Sequence, residues 1–134
     1  MSDDKPSRAE QAARMAELRA GNQRRESAAA QVLIDEFIAK AREVGLEPQP
    51  LRATLLTGQS VKTDKSGWYL RRNRSLAIGE DGGYYVLTIP GGLAERIRGA
   101  KLSRTPPPIY VGAGGRDGET GELKWFLEQA LQGH

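Results

Sequence analysis

The sequence contains no cysteine, and its single histidine, His134, is the last residue. The first absence excludes disulfides, thiolate metal sites and cysteine nucleophiles. The second leaves zinc without its usual ligands and removes any His-containing triad from the body of the fold. No apolar run approaches the roughly 20 residues that span a bilayer. The opening MSDDKPSRAE lacks the apolar core of a signal peptide, so a cytoplasmic protein is expected. The P-loop Lys-Ser/Thr pair and the GxGxxG spacing are both missing, and so is the Asp-x-Asp-x-Asp pattern of a calcium loop. No catalytic constellation, metal site or cofactor is therefore expected.

What the chain does have is 20 basic and 17 acidic side chains in 134 residues, unevenly distributed. Residues 51–78 carry Arg52, Lys62, Lys65, Arg71, Arg72 and Arg74 against Asp64 alone. Residues 96–104 carry Arg96, Arg98, Lys101 and Arg104 with no acid, whereas 79–95 hold three acids and no base. Such asymmetry bears on partners and not on fold. The excess of arginine over lysine and the many alanines also fit a GC-rich bacterial coding sequence, which accounts for part of the basic content.

The length fits one domain. Residues 1–26 are rich in Ala, Arg, Glu and Gln. The face shared by Ala9, Ala12, Ala13, Ala16 and Ala20 offers only methyl groups, and Gly21-Asn22 interrupts the pattern. A disordered or weakly helical tail is expected there, ahead of a single domain over 27–134. Residues 27–45 predict an amphipathic helix, with Ser27 as N-cap and Gly45 just past the end. Ala30, Leu33, Ile34, Phe37, Ala41 and Val44 share its apolar face.

Leu51 to Thr57 reads as a strand and Gly58 to Gly67 as a polar loop. Asp81-Gly82 between two apolar runs predicts a two-residue type I′ hairpin that pairs Ile78 with Tyr85 and Leu76 with Leu87. Arg72-Asn73 marks a second tight turn, so Trp68–Arg71, Arg74–Ile78 and the run after Gly83 form a three-stranded meander. Leu93 to Arg98 predicts one helical turn, and Ile109 to Val111 a short strand. Gly112 to Gly121 is a glycine-rich loop, and a helix follows to Leu131. Leu123, Phe126, Leu127 and Ala130 line that helix's buried face, with Trp125 opposite. The fold class is α+β: a small, mostly antiparallel sheet, the meander plus one or two strands, with two helices packed on one face.

The leading candidate site is the basic meander. Single-stranded nucleic acid is held by aromatic platforms that stack bases and by cations that neutralise phosphates. Trp68 and Tyr69 are the expected platforms. Lys62, Lys65, Arg71, Arg72 and Arg74 are the expected phosphate contacts, and Arg96, Arg98, Lys101 and Arg104 extend the positive field. The competing reading makes Trp68 core and the arginines a solvated turn. The expected function is thus a non-enzymatic module binding RNA or single strands. The alternative is a protein-interaction or regulatory module, perhaps a homodimer, using Trp125 and a sheet edge. Glu80 with Asp81, and Asp117 with Glu119 and Glu122, are carboxylate clusters better explained by turn and helix-start roles. The glycine-rich loop with Arg116 is a weaker anion-binding candidate.

Overall fold

The side chain of Ser7 accepts a hydrogen bond from the Glu10 amide and opens a single helix, α1, over Arg8–Glu43. The computed structural model describes residues 7–112 and 120–133. At 36 residues, α1 is about 54 Å long. Gly21 and Asn22 do not interrupt it, and Ser27 lies inside it. A lone glycine costs only about 1 kcal/mol in a helix interior, less than the surrounding Ala, Arg, Glu and Gln supply. The helix has two regimes. From Arg8 to Glu26 every residue is exposed except half-buried Gly21, whereas Ala30, Ile34, Phe37 and Ala41 are buried. The first half is therefore an arm and the second half is core. Val44, expected on the buried face, is exposed, because the chain has already turned there. Gly45 adopts φ 76°, and the Leu46 amide reaches back to the Ala41 carbonyl at 2.8 Å, closing the helix in the Schellman manner.

Five strands follow: β1 (Gln49–Leu55), β2 (Ser60–Tyr69), β3 (Leu76–Gly79), β4 (Tyr84–Val86) and β5 (Thr88–Ile89). Their order in the sheet is β4-β3-β2-β1-β5. All neighbours are antiparallel except β1 and β5. Since β4 and β5 are consecutive in sequence but lie at opposite ends of the sheet, the sheet curls until its ends meet. Leu87 is the joint. Its amide donates to the Ser75 carbonyl at 2.8 Å, and its carbonyl accepts from the Thr54 amide at 2.7 Å. Strong twist in short strands permits such closure, which leaves little free edge.

Residues 58–67, read from sequence as a polar loop, are mostly strand. The register of β1 against β2 shifts between Pro50 and Arg52. A bulge leaves backbone groups that need partners. The Thr63 hydroxyl donates to the Leu51 carbonyl at 2.8 Å, and the Tyr69 hydroxyl accepts from the Arg52 amide at 2.9 Å. The polar residues thus serve the strand. The hairpin register also differs from expectation by one residue: Ile78 faces Tyr84 and Ala77 faces Tyr85. A one-residue slip exchanges the faces. Every residue of β3 is buried, so alternation carried no parity. The turn is longer than two residues because the Asp81 carboxylate caps the Gly83 amide at 2.9 Å.

One side of the curled sheet carries Trp68, Leu70, Leu76, Ile78 and Tyr84. These residues share a single apolar cluster with the buried half of α1 and with Leu123, Phe126, Leu127 and Ala130 of α3 (Leu123–Leu131). The other side carries Leu51, Ala77, Tyr85 and Leu87, and farther along Ala53, Leu55 and Val61. Among the described residues, no helical side chain belongs to the two apolar clusters on that side. A strap over residues 99–105, following the short α2 (Leu93–Arg98), closes it by inserting Ala100 and Leu102. The strap is pinned at both ends. Ala100 donates to the Lys62 carbonyl at 2.8 Å, and Thr105 to the Tyr84 carbonyl at 2.9 Å. A two-stranded ribbon, β6 (Tyr110–Val111) and β7 (Gly121–Glu122), leads into α3. Among the described residues, no helix is long and apolar enough to cross a membrane.

Candidate polyanion-binding surface

The two aromatic platforms expected from sequence are not free. Trp68 is 4% exposed, and its indole Nε1 donates to the Leu46 carbonyl at 3.0 Å. Its ring meets Phe37 edge-on at 5.4 Å between centroids. The indole is core, because β2 turns it toward α1. It cannot stack a base, so the stacking role assigned to it is withdrawn. The Tyr69 hydroxyl is held by the β1 bulge, and the Arg74 guanidinium already lies over its ring at 5.2 Å.

The arginines of the β2–β3 turn differ in burial. Arg71 is 6% exposed. Its Nη2 donates to the Gly112 carbonyl at 2.7 Å, and its Nη1 lies 3.4 Å from the Ser75 hydroxyl. It faces inward and does not contact phosphate from the surface, which corrects the sequence reading. Arg72 is exposed, and Arg74 sits in the left-handed region at φ 58°. Arg71, Arg72 and Arg74 line one cleft of ≈330 Å³ with Trp68, Tyr69, Glu47 and Gln49, to which no strap residue contributes.

The strap does bring the two basic segments together. Thr63 and Ala100 form a parallel bridge, which places Arg98 and Lys101 on either side of the point where the chain meets Lys62. Gly99 makes the approach feasible: it adopts φ 87°, and a Cβ there would stand 2.9 Å from the Lys62 carbonyl oxygen. Arg52 lies directly across from Lys62 on β1, with its Nε donating to the Ser60 hydroxyl at 2.8 Å. Lys62, Arg96, Arg98 and Lys101 carry no ion pair among the described residues. Arg52 was missing from the sequence-derived site. Its pairing with Lys62 was invisible while residues 58–67 read as a loop.

Lys65 and Arg104 meet at a different point, the Asp81 carboxylate. Lys65 Nζ is 3.8 Å and Arg104 Nη2 is 3.7 Å from Oδ2, and the Tyr85 hydroxyl donates to the same oxygen at 2.6 Å. Burial pushes the Asp81 carboxyl up. The bonds from Tyr85 and the Gly83 amide, with the charges of Arg104 and Lys65, outweigh it and hold the group below its usual value. Burial, followed by the bond and charge of Asp81, pushes the Tyr85 phenol up to about 12. Asp81 is thus a structural hub that partly neutralises Lys65, an expected phosphate contact, and Arg104, expected to extend the positive field. Among the described residues, no cluster of His, Cys, Asp and Glu could hold a metal ion.

Trp125 is 46% exposed and packs edge-on against Phe126 at 4.9 Å, pointing away from the buried face of α3. Leu93 and Ile97 of α2 are exposed, and Ala94, Glu95 and Arg98 of the same helix line a cleft of ≈710 Å³ with the strap. Arg116, Asp117 and Glu119 of the glycine-rich loop lie outside the described residues. No family model, no curated protein and no solved structure matches the chain.

Proposed function

We propose that the protein is a non-enzymatic cytoplasmic module that binds nucleic acid, RNA or single strands, through its phosphates. The observation that carries this reading is the backbone pairing of Ala100 with Lys62, which joins Arg98 and Lys101 to Lys62 and Arg52 on one exposed strip. Arg96 adds to the field from α2. With Trp68 buried and Tyr69 engaged, binding has little base stacking to draw on. It is therefore electrostatic, tolerant of sequence and steeply dependent on salt. The test is a salt titration of binding to a mixed-sequence single-stranded oligonucleotide, followed by fluorescence anisotropy. A Lys62→Gln/Arg98→Gln/Lys101→Gln variant should lower the slope of log K against log salt by about 2, at ~0.7 per neutralised phosphate. Arg72→Gln/Arg74→Gln should leave the slope nearly unchanged. Absence of binding at low salt, or an unaltered slope in the triple variant, overturns the proposal.

A protein-interaction module is the second reading, favoured by the half-exposed Trp125 and by the apolar pair Leu93 and Ile97. Closure of the sheet removes most of the edge that such a partner would use. The reading then rests on those side chains. A mass from light scattering that falls from dimer to monomer in Trp125→Ser would support it.

A further inference from the structure

The cleft that α2 lines with the strap joins two properties that the basic strip alone does not have. Its volume, ≈710 Å³, lies in the range of roughly 300–1,000 Å³ typical of sites for small organic groups. Its apolar lining is open to solvent: Val86 is 40% exposed, Pro90 and Ala94 are exposed, and Ile89 is half-buried. Arg98 and Lys101 line the same cleft, both exposed, and both are cations of the strip that runs past Lys62. Glu95 is the acid among the described lining residues, and its carboxylate already accepts from the Gly92 amide at 3.2 Å. An open aliphatic surface beside two cations suits an anion with an apolar body.

We propose that this cleft receives a nucleobase of the strand whose phosphates lie on the Lys62 strip. The proposal rests on the phosphate-binding reading and adds what that reading lacks, a place for the base. Arg98 and Lys101 are shared by strip and cleft, so a phosphate held by either brings its own nucleotide to the cleft mouth. In a single strand the base faces are unpaired, and an apolar surface that takes one out of water gains free energy. With Trp68 buried, Val86, Ile89 and Ala94 supply that surface in place of an aromatic platform. Aliphatic walls carry no donor and acceptor code, so the cleft admits any base and binding stays tolerant of sequence. The gain is about tenfold in affinity, the return from burying about 60 Å² of apolar surface.

The test compares two single strands of equal length and equal phosphate number, oligothymidine and a fully abasic analogue. Both are titrated against the full chain by fluorescence anisotropy over a range of salt. Oligothymidine should bind about tenfold more tightly, and the two salt slopes should agree, since both strands neutralise the same cations. Val86→Thr/Ala94→Gln changes two exposed lining residues without altering charge. It should remove most of the tenfold difference and leave the slope at its wild-type value. Backbone-amide NMR of the unaltered protein gives a second readout that needs no variant. Oligothymidine should shift Val86, Ala94 and Ser103, and the abasic strand should leave Val86 and Ala94 unmoved. Equal affinities for the two strands, or a difference that survives the double variant at full size, would overturn the proposal and leave the phosphate reading standing. If neither strand binds at low salt, the phosphate reading fails and this one fails with it.

Discussion

Replacing Trp68 by phenylalanine separates a structural indole from a ligand-stacking one. In the structure the ring is almost completely buried against Phe37, and its N–H is bonded to the Leu46 carbonyl. Phenylalanine keeps an aromatic against Phe37 but loses that bond, at about 1 kcal/mol. It also leaves the volume of the missing ring partly empty, at about 1 kcal/mol more. The sum of about 2 kcal/mol should lower the thermal midpoint by roughly 6–10 °C for a chain of this size. Trp68→Ala should cost about 4 kcal/mol. Urea unfolding followed by circular dichroism measures the stability, and oligonucleotide anisotropy well below the midpoint measures the binding. Stability should fall while affinity and salt slope stay at wild-type values. A Trp68→Phe protein as stable as wild type but weaker toward oligonucleotide would refute the reasoning, because the ring would then be a platform and not core.

Gly67→Ala should cost about 3 kcal/mol or more in urea melts, since the Cβ would fall on the carbonyl oxygen of Ile78 across the β2–β3 pair. Deleting residues 1–22 should leave the midpoint within about 2 °C of wild type, because the first buried side chain of α1 is Ala30. The Asp81 hub gives a signed pH response. The folded carboxyl is held below its unfolded value, so its stabilisation is present above about pH 4 and is lost as pH falls through the folded value. Tyr84 and Tyr85, both raised to about 12, stabilise the fold below pH ~10, and that contribution is lost as pH rises toward 12. Asp81→Asn should blunt the acid loss, and tyrosinate absorbance should show the two late titrations.

The helices were legible because their signals are local. The 3.6-residue spacing of Ala30, Ile34, Phe37 and Ala41 marked the buried stripe of α1, and Gly45 marked its end. Leu123, Phe126, Leu127 and Ala130 did the same for α3, with Trp125 correctly outward. The α+β class and the short helix over Leu93–Arg98 followed from the same local grammar. The start of α1 was not legible. Gly21-Asn22 looked like a break because propensity is read a few residues at a time, whereas a helix extends cooperatively from a docked segment and is stopped only by a sufficient penalty.

Tertiary structure alone decided three things. The first is β2, whose polar residues look like a loop until the bulge that needs Thr63 and the neighbours on both sides are in place. The second is the hairpin register, which alternation could not set once both faces of β3 were covered. The third is the site. A tryptophan beside arginines is the same string whether the ring faces solvent or a helix, and only the packing of α1 against β2 put Trp68 inside, while Arg71 is held by Gly112 and Ser75. Which cations share a surface depends on contacts between residues nearly forty apart in sequence, such as Lys62 with Ala100. The chain order therefore carried the charges, and the closure of the sheet by the strap chose which of them lie near one another.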